Sequence, residues 1–449
     1  MSVCFRAMAL GEWLIGGTMG ERPKCAKEDV LALMDDERLR RLRSAADVGL
    51  LLYEDLDDYE LPEGYDKDGV WKLLSAIRKQ AAVFLPDDPY RSADCWFVTT
   101  TSLALDSKML EIRCKTGYPL DRDIDALKGS PFLTRSIERT LARALEAEGA
   151  LVSDERIHDI FAGRRTPRSP LDRVISNYIE ISSNADDLAM REITHGLIET
   201  IYYRLIEGVD VENIPRREKV CPLDERIQPP DSASCIDAIC RRARMGNEGE
   251  MRFGPIQRII SITWYFWNFD IFPCLNSLVG VLLRNVIAIK WGYPVLSWVP
   301  VGYYPFGDLN TPLMESVFKS WSVDYGFGFD FTSYFIMYTR FYLKEVDRLE
   351  KTLYQLKNLN DRIGAMFDFP MNDRQKSIIS ALCKEPNAAL RIGPHQRTFA
   401  VAYATARADF LDLERHGCLV REHEGKAFVF KACPALRESV IHLGEAATE

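Results

Sequence analysis

The sequence is short of the side chains on which most metal proteins and many hydrolases depend. Its 449 residues include only six histidines, at 158, 195, 395, 416, 423 and 442. It has no CxxC pair and no Cys/His cluster at zinc spacing, which excludes a structural zinc module. The eleven cysteines are scattered and odd in number, the pattern of free thiols in a reducing cytoplasm rather than of a disulfide framework. A membrane-spanning run is missing as well. The most apolar stretch, 254–301, is interrupted by Asp270, Arg284 and Lys290. Its longest uncharged piece, Ile271 to Leu283, falls short of the ~20 residues needed to cross a bilayer. The N-terminal MSVCFRAMALGEWLIGG is too short and too glycine-interrupted to read as an export signal, so a cytoplasmic protein is expected. Basic charge is also scarce. With 57 Lys and Arg against 66 Asp and Glu, the formal net charge is −9, which argues against a chain that coats nucleic acid or anionic membrane along its whole surface. No internal repeat or low-complexity tract is present.

What remains is an ordinary globular composition, 47% apolar and 27% charged, in a chain long enough for two or three domains. Residues 1–70 form an N-terminal extension with an acidic, poorly patterned stretch, YEDLDDYELPEGYDKDG. From Val70, VWKLLSAIRKQAAVFL has helical periodicity, and SADCWFVTTTSLALDSKMLEI has room for one short strand. Beyond 130 the pattern is helical almost throughout: SIERTLARALEAEGALVSDERIHDIFAG, SPLDRVISNYIEIS, AMREITHGLIETIYYRLIEG, CIDAICRRARM, the 254–292 region and the long FTSYFIMYTRFYLKEVDRLEKTLYQLKNLNDRIG. That last helix is expected to carry the chain out of the helical core. NIPRREKVCPLDERIQPPD reads as a proline-rich loop with a short hairpin.

The C-terminal part changes character. MNDRQKSIISALCKEP predicts a helix capped by Asn372 or Asp373. PHQRTFAVAY predicts a second, and ATARADFLDLERHG a third that stops at Gly417. CLVREHEGKAFVFKA reads as strand, polar turn, strand. Three helices and a two-stranded wing describe a winged helix-turn-helix over 365–440. Residues 371–440 hold eleven Lys and Arg against eight Asp and Glu, so this segment is +3 while the remainder of the chain is −12. In such a module the third helix enters the major groove, which nominates Tyr403, Thr405 and Arg407. His395, Gln396 and Arg397 on the preceding helix, with Arg421 and Lys426 in the wing, are the phosphate candidates. Asp409 and Leu413 read as packing residues. Winged helices also serve as protein-interaction or dimerisation modules, and Asp412 and Glu414 dilute the positive face.

Within the helical middle, DIFPCLNSLVGV at 270–281, followed by Gly292-Tyr293-Pro294, resembles the HPFxDGNGRxxR loop-helix motif and later Gly-Tyr pair of the Fic (filamentation induced by cAMP) proteins. Phe272, Asn276 and Gly280 match, and Leu282-Leu283 match the apolar pair that follows. AEGALVSDERIHDIFAGRRTPRSPLDRVISNYIEI (147–181), IPRREKV (214–220), DFTSYFIMYTRFYL (330–343) and TARADFLDL (405–413) are similar to other blocks of long Fic proteins, in the same order. Together the blocks cover roughly residues 70–435. The resemblance implies a mainly α fold: an N-terminal region over 71–130, an all-helical core over 131–360 with small β hairpin elements, and the C-terminal winged helix.

Fic enzymes transfer a nucleotide fragment, usually AMP from ATP, to a protein hydroxyl, and the resemblance assigns roles to the motif positions. Asp270 stands where the family has its His general base. Aspartate can accept a hydroxyl proton, although a helix-ending carboxylate is also an ordinary cap. Cys274, a poor magnesium ligand, replaces the acidic residue. Leu275 and Ser277 replace the glycines that let backbone N–H groups converge on phosphate, and Leu278 and Val281 replace the two arginines. The remaining nucleotide-site candidates are Asn276, Ser277, Gly280 and Arg284, the last one turn beyond Val281 on the same side. Glu148-Gly149 stands where the family has an inhibitory-helix Glu, here with Ala144 at the Ser position. With no arginine to latch onto, Glu148 reads as one of several charges on a solvated face.

The expectation is therefore a catalytically degenerate Fic-like pseudoenzyme acting as a DNA-binding or ligand-responsive regulator, with a homodimer and a small-molecule or protein ligand as further partners. No metal or cofactor is expected, and ATP with Mg²⁺ is not. A repurposed enzyme using Asp270 on another anionic substrate, and a pure protein-interaction module, are the alternatives.

Overall fold

The computed structural model describes residues 35–85, 94–127, 131–216, 231–244, 253–300, 316–317, 319–320, 328–399, 401–424 and 427–437. Residues 217–230, most of the segment NIPRREKVCPLDERIQPPD expected to hold a short hairpin, and the wing residue Lys426 lie outside them.

The described chain is mainly helical: α1 Glu37–Val48, α2 Lys67–Lys79, α3 Thr101–Cys114, α4 Pro119–Ala126, α5 Pro131–Ala147, α6 Asp154–Phe161, α7 Pro170–Ser183, α8 Ala185–Ala189, α9 His195–Leu205, α10 Ser232–Arg244, α11 Pro255–Asn268, α12 Asn276–Lys290, α13 Thr332–Met366, α14 Asp373–Lys384, α15 Ile392–Thr398 and α16 Tyr403–Arg415. Short polar residues start many of them. Asp36, Asp66, Thr100, Ser153, Ser169, Thr194 and Asn372 each accept a first-turn backbone N–H, which satisfies donors that have no partner within the helix.

The helical reading of 70–85 extends too far. α2 ends at Lys79, and Val83–Phe84 form β1, because these two residues complete an antiparallel pair with Phe97 and Trp96 of β2 (Cys95–Phe97). β3 (Phe329–Asp330) pairs in parallel with the other edge of β2, giving the order β1-β2-β3. Trp96 and Phe97 are fully buried, so tertiary burial decides the strand where local propensity favours continued helix.

Three hydrophobic clusters organise the molecule. The first joins α1, α2 and the segment between them, from Leu39 to Leu74. Position 70 therefore falls inside a helix rather than at a boundary. The second and largest runs from Leu52 to Leu353 and takes in β2, α3 and α4 together with the later helices. The third runs from Leu359 to Leu436. α13, 35 residues long, spans the last two: Tyr334 to Leu353 belong to the large cluster, Leu359 and Ile363 to the C-terminal one. This is the exit from the helical core that its pattern predicts.

At the centre of the large cluster lies α12, buried from Asn276 to Ala288 on all faces. A helix that is apolar all round is a core helix. It packs on α11, α5, α7, α8, α9 and the 3-10 turn Pro294–Trp298. It ends at Gly292, which adopts φ 80°, with the Tyr293 N–H returning to Ala288 O. The Gly-Tyr-Pro signal is thus a left-handed helix stop.

In the C-terminal unit, α14, α15 and α16 are followed by an antiparallel hairpin of β4 (Leu419–Glu424) and β5 (Ala427–Ala432). Leu390, between α14 and α15, bridges to Phe430 of β5. α14 opens with a reciprocal capping box between Asn372 and Gln375, as its sequence predicts.

Candidate functional site: a filled helix N-terminus

The loop before α12 is built around one unusual residue. Leu275, the N-cap, has φ 60° and ψ 26°, the one left-handed non-glycine among the described residues. For a γ-branched side chain this costs about 1–2 kcal/mol. Two contacts hold it there. The Leu275 side chain is fully buried, and Asn276 clamps the loop by accepting the Phe272 N–H at 2.8 Å while donating to Phe272 O at 2.8 Å. Phe272 is itself stacked on Tyr202, with ring centroids 4.2 Å apart.

The first turn of α12 is occupied by a carboxylate from far along the chain. α5 ends where Gly149 turns left-handed at φ 78°, with the Ala150 N–H returning to Leu145 O. That turn leaves Glu148 pointing inward. Its Oε1 accepts the Ser277 N–H at 2.6 Å, and the residue is 1% exposed. Glu148 is therefore not on a solvated face. It neutralises the unsatisfied donors and positive dipole end of a buried helix, a stronger requirement than solvation once the helix is in the core.

The neighbouring side chains close the loop. Cys274, Leu275, Leu278 and Val281 are all buried in the large cluster. Burial pushes the Cys274 thiol up from its ordinary range, and the Glu148 charge adds to that. It stands as a neutral thiol, 3.9 Å from the Tyr202 hydroxyl. Among the described residues there is no group of three or more His, Cys, Asp or Glu that could hold a metal ion.

The candidate nucleotide-site residues separate on inspection. Asp270 is exposed at the edge of the loop, and its backbone carbonyl accepts from Ser232 Oγ. Asn276 is a loop clamp rather than a free ligand. Ser277 gives its N–H to Glu148, and its buried hydroxyl has no partner among the described residues. Gly280 faces α11: a Cβ there would stand 2.7 Å from Phe266 Cβ, so this glycine allows the close approach of α12 and α11. Arg284 is buried, and its Nη1 has no hydrogen-bond partner among the described residues. It lies eight residues into α12, about 12 Å from the helix start, with its guanidinium bonded to Asn285 Oδ1 and Val299 O.

In the C-terminal unit, Tyr403, Thr405 and Arg407 are exposed on the first two turns of α16, Tyr403 and Arg407 one turn apart on one face and Thr405 turned away from them. Arg407 makes no ion pair among the described residues. Asp409 and Leu413 are buried, as their pattern predicts. The phosphate candidates mostly lie elsewhere. His395 is buried against Asp409, at 3.3 Å; burial pulls its pKa down, and Asp409 only partly offsets this. Arg397 donates to Ala162 O at the end of α6 and packs on Gly163, so it fastens the unit to the core. Gln396 is half-buried. Arg421 pairs with Glu414 and lies over the Phe428 ring. The packing roles of His395 and Arg397 depend on contacts 14 and 235 residues apart in sequence, which a local reading does not reach.

Among the described residues no helix is long and apolar enough to cross a membrane. No protein-family model matches the chain, and no curated protein matches it.

Proposed function

We propose that the chain is a non-catalytic, Fic-like regulator whose phosphate loop has been converted into core, and whose C-terminal unit is a winged helix that binds DNA through α16. The observation that carries the first half is the Glu148 carboxylate seated on the Ser277 N–H. A phosphate brought to the same donors would lie about 4 Å from that carboxylate, a repulsion of about 4 kcal/mol at an effective dielectric near 20. Leu278 and Val281 stand where the motif has its arginines and Arg284 is engaged elsewhere; Arg216, whose charge reaches Cys274 and Tyr202 at the edge of the loop, is not on α12. The left-handed backbone at Leu275, where the Fic motif has glycine, and the Asn276 clamp support the resemblance in loop geometry while the chemistry has gone.

The second half is supported by the order of elements from α14 to β5 and by the exposed Tyr403, Thr405 and Arg407 on α16. Two measurements test the pair. Calorimetry with ATP and Mg²⁺, together with an autolabelling assay using α-labelled nucleotide, is expected to show neither binding nor label. Label that appears and then disappears in Asp270→Ala would overturn the non-catalytic reading. A gel shift with the DNA upstream of the protein's own coding sequence, at low and moderate salt, is expected to show salt-sensitive binding that Arg407→Ala weakens. Absence of a shift at low salt would remove the DNA-binding half alone.

A further inference from the structure

A second feature of α12 lies near its other end, about 14 Å along the axis from the filled loop. There a cleft of about 80 Å³ opens between α4, α5, α7, α8, α12 and the Pro294–Trp298 turn. Its wall includes Asp121, Asp125 and Asp186, the rings of Tyr178 and Trp298, and the amide of Asn285; no lysine, arginine or histidine contributes to it.

The interior is polar and incompletely satisfied. Asp121 is 6% exposed and accepts the Gly117 N–H at Oδ2, 2.7 Å away, while its other oxygen accepts nothing among the described residues. Asn285, 8% exposed, has a fixed orientation. Its Oδ1 accepts both Nε and Nη2 of Arg284, at 3.1 and 2.7 Å, which leaves its NH₂ group as the free end, and that group donates to nothing among the described residues. The Ser182 hydroxyl on the same wall is one turn from Tyr178 and is bonded to its phenol. A carboxylate oxygen and an amide NH₂ left without protein partners on one wall suit an occupant that supplies both a donor and an acceptor.

We propose that this cleft binds a primary ammonium group with an oxygen acceptor a few bonds away. The carboxylates take the cation, the half-buried Trp298 ring supplies a face for it, and the Asn285 amide donates to the oxygen. A bare metal ion does not meet this pattern, since it would leave the Asn285 amide unpaired. The volume excludes a whole nucleotide, because pockets that enclose ligands of that size span roughly 300–1,000 Å³. The chemistry is found in a small amino alcohol or amino amide, and in the α-ammonium and first carbonyl of a peptide. The site is independent of the filled loop and of α16, so its failure leaves the regulator reading untouched.

The test is calorimetry on the full chain with ethanolamine, glycinamide and triglycine amide as probes and ethylene glycol as the neutral control. Ethanolamine or glycinamide is expected to bind with a Kd of about 1 mM or tighter. Asp121→Asn, which keeps an acceptor for Gly117, is expected to weaken binding at least roughly tenfold, and the exposed Asp186→Asn severalfold, with both variants melting like the parent. Triglycine amide binding roughly tenfold tighter than glycinamide assigns the site to a peptide terminus; equal or weaker binding assigns it to the small amine. The proposal is overturned if no amine binds at about 10 mM, if ethylene glycol binds as well as ethanolamine, or if neither variant changes the affinity.

Discussion

Several helices begin without a side-chain cap of their own, and two of them, α12 and α16, resolve that shortage in opposite ways. α12 starts at Leu275 and α16 at Ala402, neither of which can accept a backbone N–H through its side chain. The start of α12 is buried, so its donors must be met from within the protein, and Glu148 meets that of Ser277. The start of α16 is exposed, and the side chains it presents are Tyr403, Thr405 and Arg407. A helix N-terminus is an anion site by construction. One has been closed by an internal carboxylate; the other is open to an external anion such as a DNA phosphate. An uncapped helix start thus implies function only after its burial is known.

The largest effect is expected at the closed start. Glu148→Ala leaves the Ser277 N–H unpaired in the core and should lower stability by about 3 kcal/mol in urea unfolding, from the lost charge-assisted bond and the lost dipole partner. Glu148→Gln keeps an acceptor and should recover more than half of that. Neither variant should bind ATP, because no cation is introduced. A variant as stable as the parent would break the comparison, since the carboxylate would then not be meeting a need of the helix.

A conventionally capped start calibrates the scale. Asp172 sits in the capping box of α7, bonded to Arg156 Nε and to the N–H groups of Arg168 and Ser169. Burial alone would raise its carboxyl, but these partners outweigh burial and hold it at about 2, below the ordinary 3.8. A lowered carboxylate contributes stability that is complete above the unfolded value and is lost as the pH falls through the folded one. Roughly 2 kcal/mol should therefore disappear as the pH falls from about 4 to below 2, and Asp172→Asn should flatten the stability profile over that window.

Most of the helices were legible in the sequence because their apolar periodicity and caps are local. The sites were not, because the decisive contacts are distant. Glu148 meets Ser277 across 129 residues, and nothing in ARALEAEG distinguishes an inward carboxylate from a solvated one except Gly149, which announces a helix stop. β1 was hidden for a similar reason: Val83 and Phe84 become strand only when β2 is alongside. Asp121, Asn285 and Tyr178 gave no motif because three helices contribute them. Reading 270–281 against the Fic motif marked Leu275 as a replaced glycine, and Leu275 has a left-handed backbone. It could not tell that Arg284 turns toward Val299, or that Gly280 serves Phe266.

Leu275 offers a third way to sharpen the contrast, because two effects oppose each other there. Leu275→Gly relieves left-handed strain of about 1–2 kcal/mol but removes a fully buried side chain worth about 3 kcal/mol. Burial should win, leaving the variant about 1–2 kcal/mol less stable by chemical denaturation. A stabilised variant would mean that the loop can relax around the lost side chain and is less firmly closed than its burial implies.

The smallest energetic effect is expected at the open start, and its distribution is the informative part. Arg407 is exposed and pairs with no carboxylate among the described residues, so Arg407→Ala should leave folding stability within about 0.5 kcal/mol of the parent. If α16 meets DNA, the same change should weaken binding by about tenfold and reduce the slope of log affinity against log salt by about one. Arg397→Ala should do the reverse: its guanidinium is spent on Ala162 O at the end of α6, so it should leave the salt slope unchanged and loosen the C-terminal unit from the core instead. Hydrogen exchange at the ends of α6 and α15 would report that loosening. If the two arginines behaved alike in both assays, the open helix start would have no special claim to the anion, and the difference between α12 and α16 would be one of burial alone.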